Sequence, residues 1–138
     1  MTLHTRHRLP LILAASLTLL GCVPASMPEP HEGAAYFAQN CASCHGASGQ
    51  GDGPLAAGLN PAPVDLTRLR QGNGGTFPTA RALSYVYGDP RGDHRARVMP
   101  EFGAAMDEDL VPIEVDGVLT PTPRPLAALL AYLVDIQR

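Results

Sequence analysis

Apolar positions recur at helical spacing in widely separated stretches of this 138-residue chain. In Glu32–Cys41, residues Ala34, Phe37, Ala38 and Cys41 fall at i, i+3, i+4 and i+7, which predicts a helix with one apolar face. Thr79–Tyr87 does the same with Ala82, Leu83, Val86 and Tyr87; Thr79 is the expected N-cap and Gly88-Asp89-Pro90 the stop. The longest stripe is Leu126, Leu129, Leu130, Leu133 and Val134, a terminal helix opened by Thr122-Pro123-Arg124-Pro125, a capping hydroxyl and prolines that a first turn tolerates. Between these stretches the periodicity lapses. Gly46–Pro63 is a glycine- and proline-rich loop, Asp65–Arg70 leaves room for a short helix, and Gln71–Gly75 reads as loop. Val111–Thr120 alternates around Asp116-Gly117, the pattern of a small hairpin inserted locally. The whole predicts an all-α, loop-rich domain of roughly three to five short helices.

Composition sharpens that picture. Gly and Pro each occur 14 times, while the aromatics are four Tyr and three Phe, with no Trp. Such a chain has few large side chains with which to fill a core, and a buried flat group would supply what the polypeptide lacks. The ten basic residues are all arginine, against 13 Asp and Glu, for a formal net charge of −3. No basic tract suited to nucleic acid or to an anionic membrane surface stands out in that balance.

The candidate chemistry is concentrated in Cys41-Ala42-Ser43-Cys44-His45. Two cysteines two residues apart with histidine next is the attachment signature of a c-type haem. Two thiols reach the vinyl groups on one porphyrin edge, and the following imidazole reaches the iron. A thiol redox motif would not need the histidine, and a zinc site would need a second ligand pair. Cofactor-binding Cys41, Cys44 and His45 therefore imply one covalent haem c.

The remaining cysteine, Cys22, closes a leader. Arg6 and Arg8 precede an apolar run, Leu9–Leu20, too short to span a bilayer. Leu19-Leu20-Gly21-Cys22 resembles the bacterial lipoprotein signal, although a small residue is more usual than Leu20. The expected organisation is signal peptide 1–21, a Pro-rich tether 22–31 carrying Pro24, Pro28 and Pro30, and a domain over 32–138. Cleavage before Cys22 removes Arg6 and Arg8, leaving eight Arg against 13 carboxylates, or −5. Lipidation at Cys22 leaves no cysteine for a disulfide. An ordinary signal peptide cleaved elsewhere is the alternative.

Gly33-Ala34-Ala35-Tyr36-Phe37 ahead of the Cys-x-x-Cys-His motif resembles the N-terminal helix of class I, mitochondrial-type cytochromes c, with Gly33 at the small residue that lets the terminal helices cross. Tyr132-Leu133 is similar to the aromatic-Leu pair of the family's C-terminal helix. Val98-Met99-Pro100-Glu101-Phe102 resembles its axial-methionine loop, 54 residues past His45 (99 − 45). The resemblance implies metal ligands His45 and Met99, with Met106 and His94 as weaker candidates for the second position. It also implies that a proline carbonyl, here matched by Pro54, accepts the proximal imidazole N–H. The implied function is a lipid-anchored, single-haem electron carrier of the bacterial periplasm or cell surface, on the inner or outer membrane, exchanging electrons with redox protein partners. No small-molecule substrate, nucleic acid or catalysis of its own is expected. The competing expectations are an electron-transfer subunit of a larger dehydrogenase or oxidase complex, and a haem sensor or peroxidase with an open distal site. Partner docking in the family uses lysines, and this chain has none.

Overall fold

The computed structural model describes residues 26–88, 98–106 and 109–138. Among these, four α-helices are joined by loops and single 3-10 turns, with one two-stranded sheet. The helices are α1 (Pro30–Asn40), α2 (Ala42–His45), α3 (Thr79–Tyr87) and α4 (Arg124–Asp135).

Helix α1 starts with Pro30 in its first turn, where no N–H partner is needed. The backbone N–H of Glu29 donates to the Glu32 carboxylate at 3.0 Å. The helix thus takes in two residues that the sequence pattern assigns to the tether. It ends where Cys41 leaves helical geometry at φ −121°, and the short α2 begins at once.

Helix α4 lays Leu126, Leu129, Leu130 and Leu133 into the core, as their spacing requires, together with Ala127 and Ala128. Val134, the last member of the predicted stripe, is instead exposed. The stripe drifts around the helix over two turns, and the crossing with α1 is too narrow to cover its far edge. That crossing is tight. A Cβ built on Gly33 would overlap the Ala128 carbonyl oxygen and stand 2.8 Å from Tyr132 Cβ. Phe37 and Tyr132 pack beside it with ring centroids 5.2 Å apart. Arg124 ties the two helices at their rim, donating to Glu32 at 3.1 Å and to the Ser26 carbonyl at 2.7 Å.

The all-α expectation holds approximately, with the predicted hairpin as its one sheet among the described residues. Strands β1 (Leu110–Val115) and β2 (Val118–Pro123) form an antiparallel hairpin longer than the predicted Val111–Thr120. Asp116 (φ 50°) and Gly117 (φ 81°) supply the two positive φ values of a tight turn. Counting back from that turn, Pro112, Pro121 and Pro123 all fall at positions where the ladder uses no N–H, so the prolines cost it no hydrogen bond. Because β2 runs up to Pro123, the Thr122 hydroxyl does not cap α4; it is buried and donates to the Thr120 carbonyl. At α3 the N-cap is Pro78 and Thr79 is already helical. The predicted loop after Arg70 contains a 3-10 turn, Gln71–Asn73, and another covers Leu66–Arg68.

Candidate cofactor site

The Cys-x-x-Cys-His stretch is a helical turn set off from α1 by the break at Cys41. Its backbone stays ladder-like: Cys41 N donates to Phe37 O at 2.8 Å, and His45 N to Cys41 O at 2.9 Å. The carbonyls of Ser43, Cys44 and His45 then have no helix to continue into. The glycine-rich loop supplies their partners in reverse order: Leu55 N to Ser43 O (2.8 Å), Gly53 N to Cys44 O (3.1 Å) and Gly51 N to His45 O (2.8 Å). Gly53 must be glycine here, since a Cβ would meet Ser43 O at 2.5 Å and Cys44 O at 2.7 Å. Gly53 thus serves close passage over the turn's backbone.

His45 is buried, and its Nδ1 lies 3.2 Å from the Val64 carbonyl. A carbonyl only accepts, so Nδ1 carries the proton and Nε2 keeps a lone pair. Burial lowers the histidine's pKa, with the Val64 hydrogen bond opposing, so the ring is neutral at neutral pH. The acceptor is therefore Val64 and not Pro54. The segment around Pro54 is occupied in capping the Ser43 and Cys44 carbonyls, and the chain returns to the imidazole ten residues later. A backbone carbonyl carries no side-chain signature, so nothing in the sequence motif points to Val64. The extended Pro61-Ala62-Pro63 run before it was the one available hint.

Both thiols are free. Burial, and then the neighbouring Cys44, push the Cys41 thiol up to about 11. Thiol redox motifs depend on the opposite shift, toward thiolate. Among the described residues no three His, Cys, Asp or Glu side chains come together as a metal-binding group, so a zinc site has no support there.

Met99 packs, half-buried, against the core cluster that contains Phe37 and Cys41. Its loop is anchored by Phe102, whose N–H donates to Val86 O at 2.9 Å and whose ring meets Tyr36 edge-on at 6.4 Å. Met106 is 2% exposed and lies inside the same core. Leu55 and Val64 bond the motif through their backbones and Val98 adjoins Met99, yet the side chains of all three are exposed, Leu55 by 61% and Val64 by 58%. Paired free thiols, an imidazole with its distal nitrogen available and uncovered apolar side chains beside them fit a flat apolar group tethered through sulfur and bound through iron. Cys22 and His94, together with Arg91, Arg95 and Arg97, lie outside the described residues.

The family model for cytochrome c matches residues 30–136. The chain belongs to the cytochrome c family. Comparison with curated proteins and with solved structures returns no significant match. Membership implies a covalent haem c, and this cytochrome c domain is that of an electron-transfer haem protein. Haem c supplies a one-electron iron couple when bound. Cys41 and Cys44 are the residues that would hold its edge, and His45 Nε2 would face the iron.

Proposed function

We propose that this chain is a class I, single-haem electron carrier with His45 and Met99 as axial ligands. It is secreted across the bacterial inner membrane, anchored through lipid on Cys22, and exchanges single electrons with redox protein partners. The observation that carries the reading is the commitment of His45 Nδ1 to the Val64 carbonyl, which leaves Nε2 for metal inside a Cys-x-x-Cys-His turn. Met99 is favoured over Met106 because it sits at the partly open edge of the core in a Pro-flanked loop, whereas Met106 is enclosed. Two protein ligands leave no coordination position for a substrate, so the role is transfer and not catalysis. Cys22 supports the anchor by its place at the end of the apolar run. A lipoprotein carries more than one acyl chain, and a single chain holds a protein only marginally.

The test is the absorption spectrum of the purified protein in both redox states with a redox titration, alongside intact-mass spectrometry. A haem c spectrum, a weak red sulfur-to-iron band lost in Met99→Ala, and a lipid mass on Cys22 are expected. Retention of that band in Met99→Ala would overturn the ligand assignment, and an unlipidated mature chain the anchor.

A second reading, an electron-transfer subunit of a larger complex, draws on the hairpin. Leu110, Val118 and Leu119 stand exposed there, Leu119 by 69%. Co-purification with a larger redox subunit would favour it.

A further inference from the structure

Gln137 and Arg138 follow α4, beyond the core, yet they are bound closely to one short segment. The Gln137 side-chain amide donates to Leu66 O and to Leu133 O, both at 2.7 Å, and accepts from Arg70 N at 2.8 Å. Arg138 donates from its backbone N to Thr67 O at 3.0 Å, from Nε to Thr67 Oγ1 at 2.8 Å, and from Nη2 to Asp65 Oδ2 at 3.2 Å. Apart from Leu133, every one of these partners lies within residues 65–70. That segment begins immediately after Val64, whose carbonyl accepts from the His45 imidazole.

The Val64 side chain is largely exposed and cannot fix its own backbone. Its neighbours do. On one side Leu66 N donates to Gly49 O at 2.7 Å, and Gly51 lies so close that a Cβ there would overlap the Pro63 carbonyl oxygen. On the other side stand Gln137 and Arg138. We propose that these two are positioning residues for the axial histidine: they hold the Val64 carbonyl against His45 Nδ1 and so set the donor strength of the imidazole and the reduction potential of the bound haem. This rests on the reading of His45 as the axial ligand. An imidazole that donates to a carbonyl is more basic toward its metal, which favours ferric over ferrous iron. At 3.2 Å the bond is at the long end of its range, so a small retreat of Val64 weakens it steeply. Releasing the clamp therefore favours the ferrous form and raises the potential.

The experiment compares holoproteins. Gln137→Glu can still accept from Arg70 N but cannot donate to Leu66 O. Arg138→Ala removes the contacts to Thr67 Oγ1 and Asp65. Arg124→Ala is the control, since Arg124 also links α4 to the start of α1, through Glu32 and Ser26, but its side chain bonds nothing in residues 64–70. Each is read by reduction potential and by the exchange rate of the His45 Nδ1 proton in NMR. The Gln137→Glu/Arg138→Ala double variant should favour the ferrous form by about threefold, ~28 mV at 59 mV per decade for one electron, and exchange that proton about tenfold faster. Arg138→Lys should recover part of both. Arg124→Ala should lower thermal stability and leave both unchanged. If the double variant does not mature, each single variant should show a smaller shift of the same sign. Unchanged potential and exchange in the clamp variants, or an equal shift in Arg124→Ala, would overturn the proposal. A wild-type protein without a haem c spectrum would instead sink the functional reading itself.

Discussion

Replacing Gly33 with alanine is the most direct perturbation of the helix crossing on which the site is built. The added Cβ overlaps the Ala128 carbonyl oxygen and lies 2.5 Å from the Ala128 carbonyl carbon. Both atoms are backbone, so no rotamer change relieves the clash, and α1 and α4 must separate by roughly half an ångström or more. A gap of that size forfeits about a quarter of the dispersion well for each contact across the interface. Overpacking of this kind costs about 1–3 kcal/mol, and backbone obstruction places the cost at the upper end. Alanine's better helix propensity returns about 1 kcal/mol. A net loss of about 2 kcal/mol should lower the melting temperature of the holoprotein by roughly 10 °C. Gly72→Ala is the internal comparison, because a Cβ there meets nothing within 4 Å and its φ is not left-handed. It should be neutral or stabilising, by about 0.4–1 kcal/mol. Calorimetry of both variants decides. A Gly33→Ala protein as stable as wild type, or no less stable than Gly72→Ala, would refute the argument that α1 and α4 meet backbone to backbone.

Met106→Ala should cost about 2–5 kcal/mol in urea denaturation through the cavity it leaves, while keeping the red sulfur-to-iron band; loss of the band would make Met106 the ligand. Glu32 is held below its ordinary 4.5 first by the Glu29 N–H and then by Arg124, and Asp65 below 3.8 first by the Thr67 hydroxyl. Depressed carboxyls stabilise the fold above their unfolded values, and that contribution is lost as pH falls through 4.5 and 3.8 toward the lower folded values. The urea midpoint should therefore fall across that window, and less steeply in Glu32→Gln; identical slopes would refute the linkage. The chain has no lysine and arginine stays protonated, so the red band should persist to about pH 10, where lysine amines ordinarily deprotonate. Its loss well below that pH, abolished in His94→Ala, would show a histidine swap instead.

What the sequence determined alone rests on side-chain identity at short range, although the caps expected of Thr79 and Thr122 did not form. The Cys41-x-x-Cys44-His45 spacing, the apolar faces of α1, α3 and α4 apart from the exposed Ala38, Tyr87 and Val134, and the Asp116-Gly117 turn each follow from local periodicity or local chemistry. Gly33 was also legible, but only through the resemblance of its helix to the family's N-terminal helix, which places a small residue at the crossing. Tertiary structure decided what depends on backbone meeting backbone. The acceptor for His45 moved from Pro54 to Val64, because a carbonyl's partner is set by where the chain returns and not by the residue that carries it. The separate fates of Met99 and Met106, one at the edge of the core and one enclosed, needed the packing of α4 and the loop together. The same holds for Gln137 and Arg138. As letters they are two polar residues after a helix, and only the fold brings them onto residues 65–70, some seventy positions earlier, beside the carbonyl that orients the histidine.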